Sequence, residues 1–389
     1  MSAPLDVIVV GLGAMGASAS CELARRGARV LALEQFNLLH SLGSSHGQSR
    51  MIRLAYYEHP DYVPLLRRAH HLWTEMQARH GDAFLQSGVI YMGTPCSALI
   101  SGSEKSARLH GIAHEMFDPD QLGDRFPHFE VPEDYVGMFE PDAGILRPEP
   151  ILQHYLSAAL AAGVDVRACE PVTSWEANEA SVTVATANAN YTARHVIFCS
   201  GAWSGAVVRD LGVKLKVTRQ TAAWFWPRRP EFFSAERSSS WAIDNGNGGL
   251  FYGFPILPGY PGVKVAIHAP GPEVQPDHVT RSFMKGDDVE IRAAIGKYLP
   301  AAEGPLLGSS VCLYTNSPDS HFIVDRHPRH ERVTIACGFS GHGFKFASVM
   351  GEILADLALT GTSSLPIEFL SLKRFRSSPQ FPKKNFLKE

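Results

Sequence analysis

The chain has 389 residues, 45% of them hydrophobic and 19% charged, and its formal net charge is −3. This length exceeds what one hydrophobic core usually supports, and the near-balanced charge argues against nucleic acid or a membrane surface as a partner. No apolar run reaches the roughly 18 residues of a membrane span, no signal peptide is evident, and six scattered cysteines are typical of a reducing compartment. We therefore expect a two-domain cytoplasmic protein.

The first predicted elements form a nucleotide-binding unit of strand, turn, helix and strand. They occupy, in that order, residues 5–10, 11–16, 17–26 and 28–33. The turn has the spacing GxGxxG: Gly11, Gly13 and Gly16. Glycines there permit a tight turn and the approach of a pyrophosphate to the helix N-terminus. Glu34 follows the second strand, where its carboxylate can accept hydrogen bonds from a ribose, so the unit predicts an adenine dinucleotide site.

A polar segment follows this unit, from Ser44 to Arg53, and it carries His46 and Arg50. Arg50 and Arg53 are three residues apart, so on a helical turn they would share a face. Two guanidinium groups on one face can bind a carboxylate or a phosphate. The same pattern is equally typical of solvated surface arginines, and the spacing does not choose between the two interpretations.

The middle of the chain alternates between helical and strand-like segments. Helices are predicted over residues 60–80, within 101–127 and over 148–162, and strands over 88–93, 164–167, 182–186 and 195–199. The last strand leads into a turn with Gly201 and Trp203, of the kind that lies against a dinucleotide. Residues 221–320 are rich in strands, and residues 333–360 return to strand, glycine loop and helix. This order predicts a nucleotide domain in several pieces, an inserted second domain, and a site where they meet.

Residues 263–268 show a clean alternation that predicts a two-faced strand. Lys264, Ala266 and His268 would share one face, and three aliphatic residues would share the other and meet a core. The first face suits either a cavity wall or a half-exposed strand with a solvated lysine. Residues 251–255, just upstream, are a candidate hairpin partner.

A second glycine-rich loop, residues 338–346, includes Gly341, Gly343, Phe344 and Lys345. Its glycines let the backbone approach a flat ligand, and the helix predicted over residues 348–359 directs its positive end there, beside Lys345. Cys312 lies in a strand-like run, where a cysteine is most often a small buried hydrophobic residue. No spacing of histidines and cysteines predicts a metal site.

Together these segments resemble the family of monomeric sarcosine oxidase, N-methyltryptophan oxidase and pipecolate oxidase. The resemblance runs from Val7 to about Leu359 and is carried by the glycine turn, residues 44–53, 252–255 and 315–319 with Cys312, and the loop 338–346. It implies FAD, attached through the sulfur of Cys312 to the 8α carbon of the flavin. It also implies oxidation of a secondary-amine amino acid by oxygen to an imine, which gives hydrogen peroxide and, after hydrolysis, an aldehyde and an amine.

The resemblance assigns expected roles to particular residues. The substrate carboxylate is expected at Arg53 and Lys345, and oxygen activation at Lys264. Tyr252 and His268 match positions beside the substrate. The residues that match cofactor-binding positions, or lie in the cofactor-binding motifs, are Gly11, Gly13, Gly16, Glu34, Ser44, His46, Arg50, Gly201, Trp203, Cys312, Gly341, Gly343, Phe344 and Lys345.

The resulting prediction is an α/β protein with a Rossmann-type FAD-binding domain over residues 1–85, 146–220 and 320–389. A mostly antiparallel β-sheet substrate domain is expected over residues 86–145 and 221–319. The expected substrate is a sarcosine-like N-methyl amino acid, and the expected state is a monomer without metal. N-methyl-L-tryptophan and L-pipecolate are the alternative substrates, because residues 236–250 and 256–262 depart from the family pattern. A dehydrogenase with another electron acceptor is the alternative reaction.

Overall fold

A computed structural model describes residues 4–207, 212–246, 248–260 and 262–375 of the chain. The strands, in chain order, are β1 (Leu5–Val10), β2 (Val30–Leu33), β3 (Arg50–Ile52), β4 (Phe84–Leu85), β5 (Val89–Gly93), β6 (Glu115–Phe117), β7 (Val136–Glu140), β8 (Gly144–Leu146), β9 (Asp165–Arg167), β10 (Val172–Ala177), β11 (Val182–Thr186), β12 (Asn190–Phe198), β13 (Lys216–Phe225), β14 (Ser240–Asp244), β15 (Leu250–Phe254), β16 (Val263–His268), β17 (Leu306–Asn316), β18 (Ile323–His327) and β19 (His330–Cys337). The α-helices are α1 (Ala14–Arg25), α2 (Val63–His80), α3 (Ala98–His110), α4 (Pro119–Arg125), α5 (Pro148–Ala161), α6 (Ser204–Val207), α7 (Val289–Tyr298) and α8 (Ala347–Leu359).

The chain divides into two compact units. Unit 1 consists of residues 1–43, 152–217 and 314–389, and unit 2 of residues 44–151 and 218–313. This division differs from the predicted domain bounds chiefly over residues 44–85, which the sequence analysis assigned to the FAD-binding domain. The reason is strand pairing: β3 and β4 both pair with β8, inside unit 2, and local sequence does not reveal the partner of a two- or three-residue strand.

Unit 1 is built on a sheet with the order β10-β11-β12-β1-β2-β9, extended by β19 beside β12 and by β18 beside β19. The central strands β9, β2, β1, β12 and β19 run parallel, as expected for a Rossmann-type sheet. Their side chains form a buried core that includes Ile8, Leu31 and Val196. Parallel strands buried on both faces require continuous apolar runs, which explains why residues 5–10 were recognisable in the sequence.

Unit 2 contains a mostly antiparallel sheet with the order β17-β13-β16-β15-β14-β5-β7-β6. Among its described pairings, β14 with β5 is parallel and the others are antiparallel. One face of this sheet packs on a core that includes Phe225, Trp241 and Phe251, together with α7. The predicted fold class, a Rossmann-type domain with a mostly antiparallel second domain, is confirmed.

Element boundaries differ from the predicted ones by a few residues. Helix α1 begins at Ala14, three residues before its predicted start, because Gly13 already serves as its N-cap. The helix predicted from residue 60 begins as a 3₁₀ turn over Pro60–Tyr62 and continues as α2. In the described part of the chain, no helix combines the length and the apolar character that crossing a membrane requires.

Candidate functional site

The glycine turn of unit 1 leaves no room for side chains. Gly11 has φ +92°, and a Cβ there would lie 2.6 Å from the carbonyl oxygen of Cys199. A Cβ on Gly16 would lie 1.8 Å from the carbonyl oxygen of Gly11. Gly13, the N-cap of α1, offers no side chain to the first helical turn, so the positive end of the helix is presented to an anion. The turn therefore fits the pyrophosphate of a dinucleotide.

Glu34 is buried directly behind this turn. Its Oε2 accepts a hydrogen bond from the Leu12 amide at 2.8 Å, and its Oε1 accepts one from the Phe36 amide at 3.0 Å and lies 3.4 Å from Nε2 of His40. Burial raises the pKa of this carboxyl, but the contacts with His40, Leu12 and Phe36 outweigh burial and leave the pKa below its usual range. An ionised carboxylate with lone pairs to spare is suited to ribose hydroxyls.

The turn after β12 adds an unpaired hydroxyl to the same region. Gly201 has φ +50°, and the ring of Trp203 packs edge-on against Phe36 at 5.2 Å. Ser200 Oγ is buried with no hydrogen-bond partner among the described residues, and the Ser200 Cα would lie 3.2 Å from a Cβ on Gly11. A buried hydroxyl without a partner beside a glycine turn indicates a polar ligand there. Ser200 was within the predicted turn, but its residue type alone gave no signal of this role.

The second glycine loop, also in unit 1, has left-handed backbone at Gly338, Ser340 and Gly341. A Cβ on Gly341 would lie 2.3 Å from the ring of Tyr314, so glycine is required for this packing. The loop ends in a 3₁₀ turn over Phe344–Phe346, followed by α8. Lys345 in that turn is only 7% exposed, and its Nζ donates to the carbonyl oxygen of His342 at 3.0 Å. The loop thus holds a buried amine where a helix begins, as the sequence analysis expected.

In unit 2, the two-faced strand predicted over residues 263–268 is confirmed as β16. Val263, Val265 and Ile267 contact the core of the sheet. On the other face, Lys264 lies opposite Phe254 of β15 and Trp224 of β13, and Ala266 lies opposite Tyr252. Residues directly opposite in antiparallel strands point to the same side, so we define a polar face by Lys264, His268 and Tyr252.

Lys264 is buried, which excludes the interpretation as a solvated lysine: it is 4% exposed. Its Nζ donates to the carbonyl oxygen of Gly47 at 2.5 Å, and to the carbonyl oxygen and Oγ of Ser49 at 3.0 and 3.2 Å. The amine also lies 5.4 and 5.1 Å from the ring centroids of Trp224 and Phe254. Burial, followed by the positive charge of Arg50, lowers its pKa well below the usual value, while Cys312 and Glu149 oppose this shift.

Cys312 lies within electrostatic range of this lysine. Burial raises the pKa of its thiol, whereas Arg50 and Lys264 lower it. Arg50 donates to the carbonyl oxygens of Ser44 and His46, so its guanidinium is held by the polar segment. Ser44 Oγ donates to the carbonyl oxygen of Leu313, next to Cys312 in the chain. The structure therefore brings together Ser44, His46, Arg50, Lys264 and Cys312, all inside unit 2.

Arg50 and Arg53 do not share a helical face, so that expectation is wrong. Residues 50–52 form β3, and side chains three positions apart along an extended chain point to opposite sides. Arg53 is instead 6% exposed, paired with Glu58, and lies 4.3 and 4.6 Å from the ring centroids of Tyr56 and Tyr57. A guanidinium has five N–H donors. The described hydrogen bonds of Arg53, to Glu58 and to the carbonyl oxygen of Ala55, use two of its nitrogen atoms, Nη1 and Nη2.

Two carboxylates that the sequence analysis did not identify hold the polar segment and the two residues that follow it. Glu149 accepts hydrogen bonds from the amides of Gly47 and Gln48. Glu140, fully buried, accepts from the amides of Leu54 and Ala55 and from the hydroxyl of Tyr91. Glu149 is 101–102 residues and Glu140 85–86 residues from the amides they accept from, so no local pattern could have revealed them.

Comparisons with known proteins identify the family of this chain. The model of the DAO family, FAD dependent oxidoreductase, matches residues 6–357. A monomeric sarcosine oxidase of Streptomyces avermitilis is 40% identical over 383 residues, 97% of this chain and 100% of the relative. An N-methyl-L-tryptophan oxidase of Salmonella heidelberg is 35% identical over 373 residues, 95% of this chain and 99% of the relative.

A solved structure supports the fold. NikD, an amino acid oxidase essential for nikkomycin biosynthesis, aligns with a TM-score of 0.81 at 24% identity, over 95% of this chain and 98% of that chain. The family model and the two relatives confirm the resemblance noted in the sequence. The chain belongs to the FAD-dependent oxidoreductase family, in the group that includes the monomeric sarcosine oxidases and the N-methyl-L-tryptophan oxidases.

Proposed function

We propose that this protein is an FAD-dependent oxidase of amino acids with a secondary amine, and that small N-methyl amino acids such as sarcosine are its substrates. The observation that carries the proposal is the buried Lys264, with three acceptors around its amine and with Arg50 and Cys312 in electrostatic range. Burying a cation is costly unless it is compensated, so a buried lysine on a polar face is typical of a functional site.

The residues that would hold FAD can be named within each unit. In unit 1, Gly11, Gly13 and Gly16 would meet the pyrophosphate and Glu34 the ribose, and Gly201, Trp203, Gly341, Gly343 and Phe344 are further proposed contacts. In unit 2, Ser44, His46, Arg50 and Cys312 are proposed at the flavin ring. FAD would supply the two-electron oxidation of the C–N bond and the transfer of those electrons to oxygen.

Arg53 is proposed to bind the substrate carboxylate. Glu58 and the rings of Tyr56 and Tyr57 hold its guanidinium in place, so little freedom is lost when a carboxylate binds to its remaining donors. In unit 1, the buried Lys345 is proposed separately as a cation for a carboxylate. Tyr252 and His268, on the polar face of unit 2, are proposed beside the amine.

Lys264 is proposed to stabilise the negative charge that develops as oxygen is reduced. Its amine lies in a buried region where a cation acts more strongly than it would in water. The ammonium form is required for this role, and its pKa is lowered. We therefore expect the rate of reaction with oxygen to fall as the pH rises through a midpoint below that of an ordinary lysine, about 10.4.

Cys312 is proposed as the site of covalent attachment of the flavin. The charges of Arg50 and Lys264 lie close enough to favour its thiolate, but burial outweighs them and leaves the pKa of the thiol above its usual value. Denaturation in acid tests this directly: a covalent flavin stays in the yellow pellet, and replacing Cys312 with serine should leave the pellet colourless. A colourless pellet from the yellow unmodified protein would rule out the attachment.

The substrate class is tested by measuring hydrogen peroxide released from a panel of amino acids. We expect the largest kcat/KM for sarcosine or another small N-methyl amino acid, with smaller values for N-methyl-L-tryptophan, L-pipecolate and primary amino acids. Formaldehyde should appear in equal amount with peroxide when the substrate carries an N-methyl group. Substrate-dependent reduction of a dye without peroxide release would instead indicate a dehydrogenase.

A further inference from the structure

Glu149 binds the backbone of the polar segment. It lies in the first turn of α5, which begins at Pro148. Its Oε1 accepts hydrogen bonds from the amides of Gly47 and Gln48 at 2.7 and 3.1 Å, and its Oε2 accepts from Gln48 at 3.1 Å. Consecutive amides that converge on one anion form a nest, a concave arrangement of backbone N–H groups that binds negative charge.

The backbone that Glu149 holds is strained. Gly47 has φ +95°, and Gln48, which has a side chain, has φ +71°. A non-glycine residue in the left-handed region persists only when its surroundings impose that conformation. The three hydrogen bonds to one carboxylate are such an imposed contact, so Glu149 stabilises a conformation that Gln48 does not prefer.

This conformation decides where the acceptors of Lys264 lie. The carbonyl oxygens of Gly47 and Ser49 and the hydroxyl of Ser49 are the three groups that accept from its amine. The peptide unit between Gly47 and Gln48 thus donates its N–H to Glu149 and accepts a hydrogen bond from Lys264 at its carbonyl oxygen. A change at the first contact is therefore expected to move the second.

We propose that Glu149 is a positioning residue for Lys264, which fixes the left-handed turn at Gly47 and Gln48 and so places the acceptors that hold the lysine amine. The inference rests on the proposed function, in which Lys264 acts on oxygen. Glu149 touches neither substrate nor oxygen in this scheme, so its effect is confined to the step that uses Lys264.

The charge of Glu149 gives the inference a second, independent consequence. The titratable groups that act on Lys264 are Arg50, which lowers its pKa, and Cys312 and Glu149, which raise it. Glutamine in place of Glu149 retains an acceptor for the amides but removes the charge. The pKa of Lys264 should then fall, and its ammonium form should be lost at a lower pH.

The experiment compares the unmodified holoenzyme with Glu149→Gln in the two halves of the reaction. We expect the rate of reaction with oxygen to fall by about tenfold, the cost of a slightly misplaced group, while anaerobic flavin reduction by sarcosine changes by less than about twofold. The pH midpoint of the oxygen reaction should also move downward. Asp118→Asn is the matched control, because Asp118 accepts a backbone amide at the start of α4, far along the chain from the polar segment.

A measurement without turnover completes the test. In protein labelled with ¹³C at lysine Cε, with the signal assigned through Lys264→Met, the pKa of Lys264 should fall by about half a unit or more in Glu149→Gln. An unchanged pKa with unchanged oxygen kinetics would overturn the inference. So would an equal loss in both half-reactions together with a lower unfolding midpoint, because that pattern is general destabilisation.

Failure of the proposed function gives a different result. If Lys264→Met itself leaves the oxygen reaction unchanged, the role of Lys264 is wrong, whatever Glu149 does. The pKa of Lys264 in Glu149→Gln would then still test whether Glu149 acts on this lysine, and an unchanged pKa would still refute the inference.

Discussion

The candidate binding region of unit 1 is formed by backbone, whereas that of unit 2 is formed by side chains. The nucleotide turn of unit 1 is made by backbone: Gly11 and Gly16 are there because a Cβ would collide with a carbonyl oxygen. The candidate region of unit 2 depends on charged side chains. Acceptors from a distant part of the chain hold Lys264, whereas Arg53 is paired with Glu58, close by in sequence. Substitutions in the backbone site should therefore weaken binding through steric strain. Substitutions in the side-chain site should weaken binding or catalysis through loss of charge.

The largest effect is expected from Gly11→Ala in unit 1. The added Cβ would meet the carbonyl oxygen of Cys199 at 2.6 Å in a left-handed conformation, at a cost of more than about 3 kcal/mol. We expect most of the flavin to be absent from the purified protein and the unfolding midpoint to fall. Gly205→Ala is the control, because a Cβ at Gly205 meets nothing within 4 Å. Full flavin content in Gly11→Ala would contradict a dinucleotide at this turn.

The second largest effect is a slower reaction with oxygen in Lys264→Met of unit 2. This substitution keeps the bulk of the side chain and removes its charge. The reaction with oxygen should slow by about 10²–10³-fold, as expected for loss of one preorganised electrostatic contact. Flavin reduction by the amino acid, measured anaerobically, should keep its rate. Lys297→Met is the matched control, since Lys297 is an exposed lysine that contacts the ring and hydroxyl of Tyr298. Equal slowing of both half-reactions would argue against a role in the oxygen step.

A smaller effect is expected from Arg53→Lys, which keeps the charge but removes the planar fork. The kcat/KM for an N-methyl amino acid should fall by about 30–100-fold, or about 2–3 kcal/mol, mainly through a higher KM. Arg229→Lys is the control, because Arg229 pairs with Glu231 and lies over the ring of Phe232 on the surface. A fall in kcat with an unchanged KM would indicate that Arg53 does not bind the carboxylate.

The smallest expected effect is a loss of unfolding free energy at low pH. It comes from His128, a buried histidine of unit 2 that is remote in sequence from the polar segment. Burial among Phe129, Phe232 and Phe233 lowers the pKa of His128 to about 4. The unfolded chain binds a proton near pH 6.5 and the folded protein only near pH 4, so stability is lost as the pH falls through that window. The loss from this group should be about 2 kcal/mol between pH 8 and pH 5.

Comparison with His128→Phe measures that loss, since the variant lacks the titrating group and should show a correspondingly shallower fall in unfolding free energy over the same range. His195, with a pKa lowered to about 3 by burial, contributes equally in both proteins. Parallel pH profiles for the two proteins would refute the prediction.

Much of the fold followed from local pattern. The apolar run of β1, the glycine spacing and Glu34 are features of consecutive residues, so the nucleotide unit could be predicted without its surroundings. The faces of β16 followed from strand periodicity in the same way. The helical turn expected at Arg50 and Arg53 was wrong because the pairing of β3 with β8, some 90 residues away, overrides local spacing.

The sequence by itself determined the family, the dinucleotide turn and the residue types of the polar face. Only the tertiary structure decided that Lys264 is buried, that Arg53 pairs with Glu58, and that Glu149 and Glu140 hold the polar segment and the residues that follow it. The physical reason is that an apolar run and a glycine spacing are patterns of consecutive residues, whereas the environment of a charge depends on which distant groups replace water around it.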